Sequence, residues 1–319
     1  GPLLGLGLLF AGETAGEEEP RQPGEWALKL APLEEEEIYA RLGLPLIPPE
    51  LREGQGEVAA AREGRLPRLV SLEDIRGDLH VHSNWSDGVN DPASMAQAAR
   101  ARGYAYLGIA DHSRSLSIAR GLSIERLLQQ RALIRELNEE SEDFRLLAGI
   151  EVDILPDGSL DYPDEILAQM DIVIASIHTG FKQEQEKIMH RLESALANPH
   201  VHLLGHPSGR LLGRRSPYQV DLDRLLLVAA RTGKALEINA TGDRLDLGAE
   251  AARAAAELGV PLVINTDAHE AGHLQDMRYG VAVARRARLE PHQVLNTLDW
   301  EELQSRLARS RASGLTTKA

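Results

Sequence analysis

The chain reads as an α/β protein built on a parallel sheet that closes, or nearly closes, into a barrel. Three observations predict this. Seven apolar runs of strand length follow residue 76, at 77–82, 106–111, 146–152, 171–178, 202–206, 235–239 and 261–267. Each of the first six leads into a helical pattern of about 10 to 17 residues, the alternation that parallel connections require. Every run but the sixth ends in a metal-ligating type of side chain, and in barrels of this kind the functional groups gather at the C-terminal ends of the strands.

Taken in order, the first 75 residues differ from the rest. Acidic runs occupy 17–19 and 34–37, and the second can fill the first turn of a helix, where carboxylates meet the positive end of the helix dipole. Residues 26–30 alternate like a short strand. Residues 35–44 read as a short amphipathic helix closed by glycine, with Pro45, Pro48 and Pro49 behind it. Residues 57–75 read as a helix and a connector. The expected division is therefore an appendage over 1–75 and a barrel domain over 76–319. Within the barrel, 123–138 and 221–232 are clear helical patterns, Asp221 and Asp223 reading as helix-opening caps, and 298–310 gives a last amphipathic helix.

Composition narrows the chemistry. There is no cysteine, so disulfides, zinc knuckles and thiol nucleophiles are excluded together, and any metal must be held by histidine and carboxylate. The net charge of -14 argues against a broad nucleic-acid-binding face, because nonspecific affinity for DNA comes mostly from Lys and Arg at phosphates. A polyanionic substrate needs a locally positive site. The apolar stretch at 3–10 lacks a basic segment before it and is broken by glycines, so it reads poorly as a signal peptide. No later run approaches the roughly 20 apolar residues of a membrane span, and a cytoplasmic protein with no membrane partner is expected. The opening Gly-Pro reads as a tag-cleavage remnant, with the natural protein expected to start upstream.

The strand-end residues make the strongest signal. In Gly-Asp-Leu-His80-Val-His82 the two histidines share one face of a strand. Asp87 stands before a glycine, in turn chemistry that folds its carboxylate back towards the strand end. His112, Glu151, His178, His206, Asp267 and His269 close the later runs. Core histidines scattered at random would not keep that position repeatedly. His190, His200, His202, His273 and His292 lie in helices, loops or at a strand start, where solvated or capping roles are the default.

These nine residues resemble, in type, order and position, the metal set of the polymerase and histidinol phosphatase (PHP) family. The resemblance covers roughly residues 76–315. Residues 35–53 are similar to the segment that, in bacterial family X DNA polymerases, joins the polymerase core to a C-terminal PHP domain. Asp111-His-Ser, Glu151-Val-Asp-Ile-Leu-Pro-Asp-Gly and Gly205-His-Pro-Ser-Gly-Arg-Leu-Leu-Gly-Arg-Arg are similar to that group as well.

The resemblance implies a distorted (β/α)7 barrel holding three divalent metals. His80, His82, Glu151 and Asp267 would bind one and form the catalytic core. Glu151 would bridge to a second held with His178 and His206, and Asp87, His112 and His269 would hold the third. Ligand chemistry leaves zinc, manganese and iron open, and the resemblance favours manganese. Three divalent ions against three ligating carboxylates leave the mouth at about +3, which reconciles an acidic protein with a phosphate substrate. The implied activity is metal-assisted phosphoester hydrolysis on DNA 3′ ends, single-stranded or gapped, as a 3′–5′ exonuclease with abasic-site endonuclease and 3′-phosphatase chemistry open beside it. The implied partners are DNA and an upstream polymerase core, and the implied location is with the nucleoid.

Around the rim, Arg114, Arg120, Lys182, Arg210, Arg214, Arg215 and Arg244 follow strand ends closely enough to hold phosphate, Arg210 and Lys182 being the leading choices, and each is equally readable as a solvated side chain. Trp85 can stack on a base or pack as a lid. Three rival readings differ by visible features. A small-molecule phosphatase of the histidinol phosphate type shares the nine ligands but not the polymerase-like leader or the Arg-rich loop after His206. An amidohydrolase commonly bridges its metals with a modified lysine at a strand end, whereas the lysines of the barrel are at 182, 187 and 234. A catalytically dead scaffold would have lost ligands, and none of the nine is missing.

Overall fold

A computed structural model of the protein describes residues 34–141 and 143–316. The acidic run at 17–19 and the strand expected at 26–30 lie outside the described residues. The chain divides into two compact units, Gly1–Leu66 and Pro67–Ala319.

In the first unit, helix α1 (Glu35–Arg41) opens with Glu35, Glu36 and Glu37 and ends with Arg41, each charge matched to its end of the dipole. Gly43, at φ +68°, turns the chain out of it. Arg52 comes back to make a two-pronged bond with Glu35 at 2.5 and 3.0 Å. Helix α2 (Glu57–Arg62) follows.

The second unit is the barrel. Seven parallel strands, β1 (Gly77–Val81), β2 (Tyr106–Ile109), β3 (Arg145–Asp153), β4 (Ile172–Ser176), β5 (Leu203–Leu204), β6 (Ala235–Asn239) and β7 (Leu262–Asn265), lie side by side in sequence order. Helices α3 (Pro92–Arg100), α4 (Ile124–Glu139), α5 (Asp164–Leu167), α6 (Gln185–Ala197), α7 (Leu222–Thr232), α8 (Ala249–Glu257) and α9 (Met277–Arg286) connect and surround them, and α10 (Trp300–Thr316) follows. Of the two caps the sequence predicts, Asp221 opens α7 by accepting the Arg224 N–H while Asp223 lies in the first turn; Asp91 and Ser123 open α3 and α4 in the same way, each accepting the backbone N–H three residues on.

One expectation fails. The third crossover carries no long helix; α5 has four residues, and the chain before it turns through Ile154 paired antiparallel with Leu160. Gly158 at φ +90° and Pro163 at the cap confine helix to the short stretch that remains. The sequence changes character at 75/76, while residues 67–75 belong to the barrel unit: the Val70 N–H donates to the Leu289 carbonyl at 2.9 Å, and Val70 and Ile75 are core. Asp74, the single aspartate before residue 76, closes a capping box with Ser71.

The period-2 alternation of the strands explains where the site sits. Along β3, β6 and β7 one face reads Leu147, Gly149, Glu151; Ala235, Glu237, Asn239; and Val263, Asn265, with Asp267 next in step. Leu147, Ala235 and Val263 join one apolar cluster together with Leu295, Leu303 and Leu307. The other face, with Leu146, Ile150, Leu236, Ile238 and Ile264, packs in the larger cluster with helix residues such as Ile134 and Leu225. Each of these three strands therefore changes from apolar to polar along a single face, towards its C-terminal end.

Strands β1 and β7 do not form a ladder. Their seam is closed by a Val81–Ala268 bridge and by side chains. Asp78 accepts the Thr266 N–H at 3.1 Å and its hydroxyl at 2.5 Å; Asn265 accepts the Leu79 N–H at 3.0 Å. Asn296 accepts from Ile264 N–H at 3.1 Å and donates to the Gly77 and Ile264 carbonyls. The sheet is nearly closed, as the seven-unit rhythm predicts.

Candidate metal centre

The nine predicted residues converge at one mouth. Glu151 lies within β3 and His80 within β1; His82, His178, His206 and Asp267 follow their strands by one or two residues. Asp87 reaches back because the 84–87 turn folds tightly: the Gly88 N–H donates to the Ser83 carbonyl at 2.9 Å, and a Cβ on Gly88 would sit 2.7 Å from that carbonyl. Asp111 anchors the loop, accepting the Ser83 N–H at 2.8 Å and the hydroxyls of Ser83 and Ser86. His206 and Asp267 hold left-handed backbone, at φ 26° and 54°, a strain that persists only where surroundings impose it.

Glu151 is the centre of the cluster. Its Oε1 is 2.8 Å from His206 Nε2, 3.2 Å from His178 Nε2 and 3.5 Å from His80 Nε2, and its Oε2 is 2.8 Å from His112 Nδ1. Asp267 Oδ1 is 2.9 Å from His82 Nε2 and 3.6 Å from His80 Nε2. Asp87 Oδ1 is 3.4 Å from His269 Nε2 and 3.6 Å from His112 Nε2. Donor atoms about 2.1 Å from an ion stand roughly 3.0–3.5 Å from one another, so with small adjustments these donors are spaced to share a cation.

Three groups of donor atoms are compact enough to hold an ion: His82, Asp87, His112 and His269; His80, His82 and Asp267; and His112, Glu151 and His178. They differ from the sequence expectation in detail. His82 and His112 each belong to two groups, and His206 enters through its contact with Glu151.

Buried atoms without partners show that the donor set fits metal ions. His82 Nδ1, His112 Nδ1 and Glu151 Oε2 are buried and make no hydrogen bond. His112 Nδ1 and Glu151 Oε2 face each other at 2.8 Å, off the line a hydrogen bond needs. Orphaned buried groups cost about 1–3 kcal/mol each, more when charged, and a cation relieves that cost.

The electrostatics agree. Burial opposes charge on His80, yet Glu237, Glu151 and Asp267 outweigh it and hold the imidazole well above its ordinary range. Burial likewise opposes charge on His112, but Glu151 and Asp87 push it up to about 10. Burial, with His269 and His112 alongside, pushes His82 down to about 3. Against burial, His178, His80 and His112 hold Glu151 well below the usual carboxylate range, and His80 and His82 do the same for Asp267. The extra protons on His80 and His112 thus sit within a set of donors that could hold a metal, and metal uptake would displace them.

Two residues escaped the sequence reading. Glu237, mid-strand in the sixth run, is fully buried with Oε1 2.8 Å from His80 Nδ1. Asp153, two residues past Glu151 on the same face of β3, bonds His178 Nδ1. Both were findable: a carboxylate inside a buried strand, in step with the ligand face, needs a partner there. His202, set aside, is structural, its Nδ1 accepting the Val173 N–H at 2.9 Å.

Of the rim cations, Arg244 reaches the cluster, its Nε 3.4 Å from Asp267 Oδ2 and its Nη1 buried without a hydrogen-bond partner. Arg210 donates to the carbonyls of Arg244 and Leu245, holding the loop that carries Arg244. Arg215 lies 4.0 Å over the Phe181 ring, Arg114 bonds Asp161 at 3.2 Å, and Arg214 pairs with Asp243 at 3.6 Å. Arg120 and Lys182 are exposed on their loops. Trp85 packs against the core with Arg126 over its ring.

A parallel barrel with histidines and carboxylates converging at its C-terminal mouth defines the class of metal-dependent barrel hydrolases. The chain belongs to the PHP domain family, which it matches over residues 78–241. It is 51% identical over 276 residues, 86% of its length, to the DNA polymerase/3′-5′ exonuclease PolX of Bacillus subtilis (strain 168), and spans 48% of that protein. It is 31% identical over 174 residues to a probable phosphatase of Thermoanaerobacter sp. (strain X514), covering 51% of this chain and 69% of that one. A solved histidinol phosphate phosphatase from Lactococcus lactis matches with 18% identity and a TM-score of 0.45, over 65% of this chain and 92% of that chain. Among the described residues no helix is long and apolar enough to cross a membrane.

Proposed function

We propose that the barrel is a metal-dependent phosphodiesterase that shortens DNA from its 3′ end, working beside a polymerase core carried by the same parent protein, with the segment up to Leu66 as the join and the unit from Pro67 on as the nuclease domain. The observation that carries the chemistry is the joining of three compact donor groups through the buried Glu151 and the shared His82 and His112. The substrate class rests on the likeness to a family X polymerase over most of the chain. His80, His82, Asp87, His112, Glu151, His178, His206, Asp267 and His269 would hold three divalent ions, manganese being the favoured one. Bound there, the ions would acidify a water towards a pKa of roughly 7 and neutralise the phosphate.

The chain's own groups do the rest. Arg244, with a buried and unpartnered Nη1 beside Asp267, is placed to take a phosphate oxygen and orient the diester. Arg210 keeps that loop in position. The buried floor of the mouth limits bulk water, which strengthens each polar contact. Water adds to phosphorus, the P–O3′ bond breaks, and the products are a nucleoside 5′-monophosphate and a strand with a new 3′-hydroxyl.

An end-labelled primer–template incubated with Mn2+ and all four nucleotides tests this reading. Shortening without elongation, abolished by chelation, is the expected result. An intact primer contradicts the nuclease reading, and templated elongation contradicts the placement of the polymerase core outside this chain. The likeness to a probable phosphatase supports a second reading, hydrolysis of small phosphate monoesters; turnover of histidinol phosphate with DNA left intact would favour it.

A further inference from the structure

The sixth strand supplies none of the nine ligands, yet Glu237 at its middle is fully buried directly against the cluster. Four hydrogen-bond donors converge on its carboxylate. Oε1 lies 2.8 Å from His80 Nδ1 and accepts from Asn265 Nδ2 at 2.9 Å. Oε2 accepts from the His206 backbone N–H at 2.7 Å and from Asn239 Nδ2 at 3.1 Å. The amide orientations are fixed from behind: Asn265 Oδ1 accepts the Leu79 N–H at 3.0 Å, and Asn239 Oδ1 accepts the Thr241 N–H at 3.1 Å. A carboxylate has about four lone-pair sites, so Glu237 is an acceptor in every direction. His80 must then carry its proton on Nδ1. Its Nε2 is left facing His82 Nε2 at 3.3 Å, Glu151 Oε1 at 3.5 Å and Asp267 Oδ1 at 3.6 Å.

We infer that Glu237 is a positioning residue, a four-way acceptor beneath the metal centre that fixes His80 with its proton on Nδ1 and its Nε2 free for a metal ion. The same carboxylate pins the His206 backbone, and Asn239 extends the frame to Asp267, which it reaches at 3.1 Å. One side chain of a strand without ligands thereby sets three ligand positions. A glutamine cannot replace it, because its NH2 must face one of the two pairs of donors. Partners of this kind typically alter metal affinity by about 10- to 100-fold.

This inference rests on the metal-binding reading, and the experiment separates the two. Chelator-stripped wild type, Glu237→Gln, His80→Ala and the double variant are titrated with Zn2+ by calorimetry. Glu237→Gln should weaken, by about 10- to 100-fold, the binding step that His80→Ala abolishes, and the double variant should lose less affinity than the two single losses combined. Wild-type affinity in Glu237→Gln, or a weakening that persists undiminished without His80, overturns the role of Glu237. Wild-type protein that takes up no zinc overturns the metal reading itself. Should Glu237→Gln fail to fold, 15N spectra of the zinc-loaded wild type decide: Nδ1 protonated with Nε2 metal-bound on His80 is expected, and metal on Nδ1 contradicts it.

Discussion

Two of the polar clusters buried in the barrel are satisfied in opposite ways. At the β1–β7 seam, Asp78 pairs with Thr266, Asn265 with the Leu79 backbone and Glu237, and Asn296 with the backbone of Gly77 and Ile264, and these hydrogen bonds take the place of a missing ladder. At the mouth, His82 Nδ1, His112 Nδ1 and Glu151 Oε2 have no hydrogen-bond partner. Buried polar groups that are complete stabilise a fold; those left incomplete mark where something else binds. The seam therefore holds the barrel shut, and the mouth is where a ligand would complete the set. Changes to the mouth should remove activity and spare the fold, and changes to the seam should do the reverse.

The largest expected effect is at the mouth. Asp267→Asn and Glu151→Gln should lower the rate of DNA hydrolysis by at least about 10³-fold, roughly 4 kcal/mol in the barrier, with a circular dichroism spectrum like that of wild type. Wild-type rates would place the activity elsewhere. At the seam, Asn296→Ala removes three side-chain hydrogen bonds and strands buried backbone groups on β1 and β7. It should cost about 2–4 kcal/mol in denaturant unfolding while the folded fraction keeps its metal content.

A subtler contrast lies in pH. In the metal-free protein His112 is raised to about 10 from an ordinary 6.5, so its charge stabilises the fold fully below pH 6.5 and ceases to as pH climbs through 10. Glu151, held well below its ordinary 4.5, contributes above that pH and is lost on acidification. Asp78 at the seam is pushed up to about 7 by burial, so its contribution too is lost as pH rises from 3.8 through 7. Chelated protein should melt highest near pH 5–6 and lose stability towards pH 10, and bound metal should flatten the alkaline fall at the mouth. A chelated protein indifferent to alkaline pH would contradict the charge arrangement. The smallest effect is at the rim: Arg244→Ala should weaken DNA binding about tenfold and reduce its salt dependence by about one phosphate contact, which binding at several ionic strengths measures.

Much of this was legible in the sequence because two patterns carry it. Apolar runs of strand length alternating with helical patterns marked the sheet, and the ligand-type residue that ended each run but the sixth marked the mouth. Glu237 was passed over because the sixth run ends in Asn239, and attention to run ends misses a carboxylate one step lower on the same face. Asp153 was hidden in the same way by its neighbour Glu151. Arg210 followed a ligand strand as a phosphate holder would, but side-chain direction depends on the loop, and here it turns to backbone carbonyls. The seam was not readable at all, since Asp78 and Asn296 are 218 positions apart and no local pattern joins them.

The central claim is that the incomplete cluster is a centre for three ions. Elemental analysis of metal-reconstituted protein, with anomalous diffraction from a crystal of it, tests this most directly. Three ions are expected, with Glu151 reaching two of them and Asp87, His112 and His269 around another. A single ion at full reconstitution, or ions bound away from Glu151, would contradict the account.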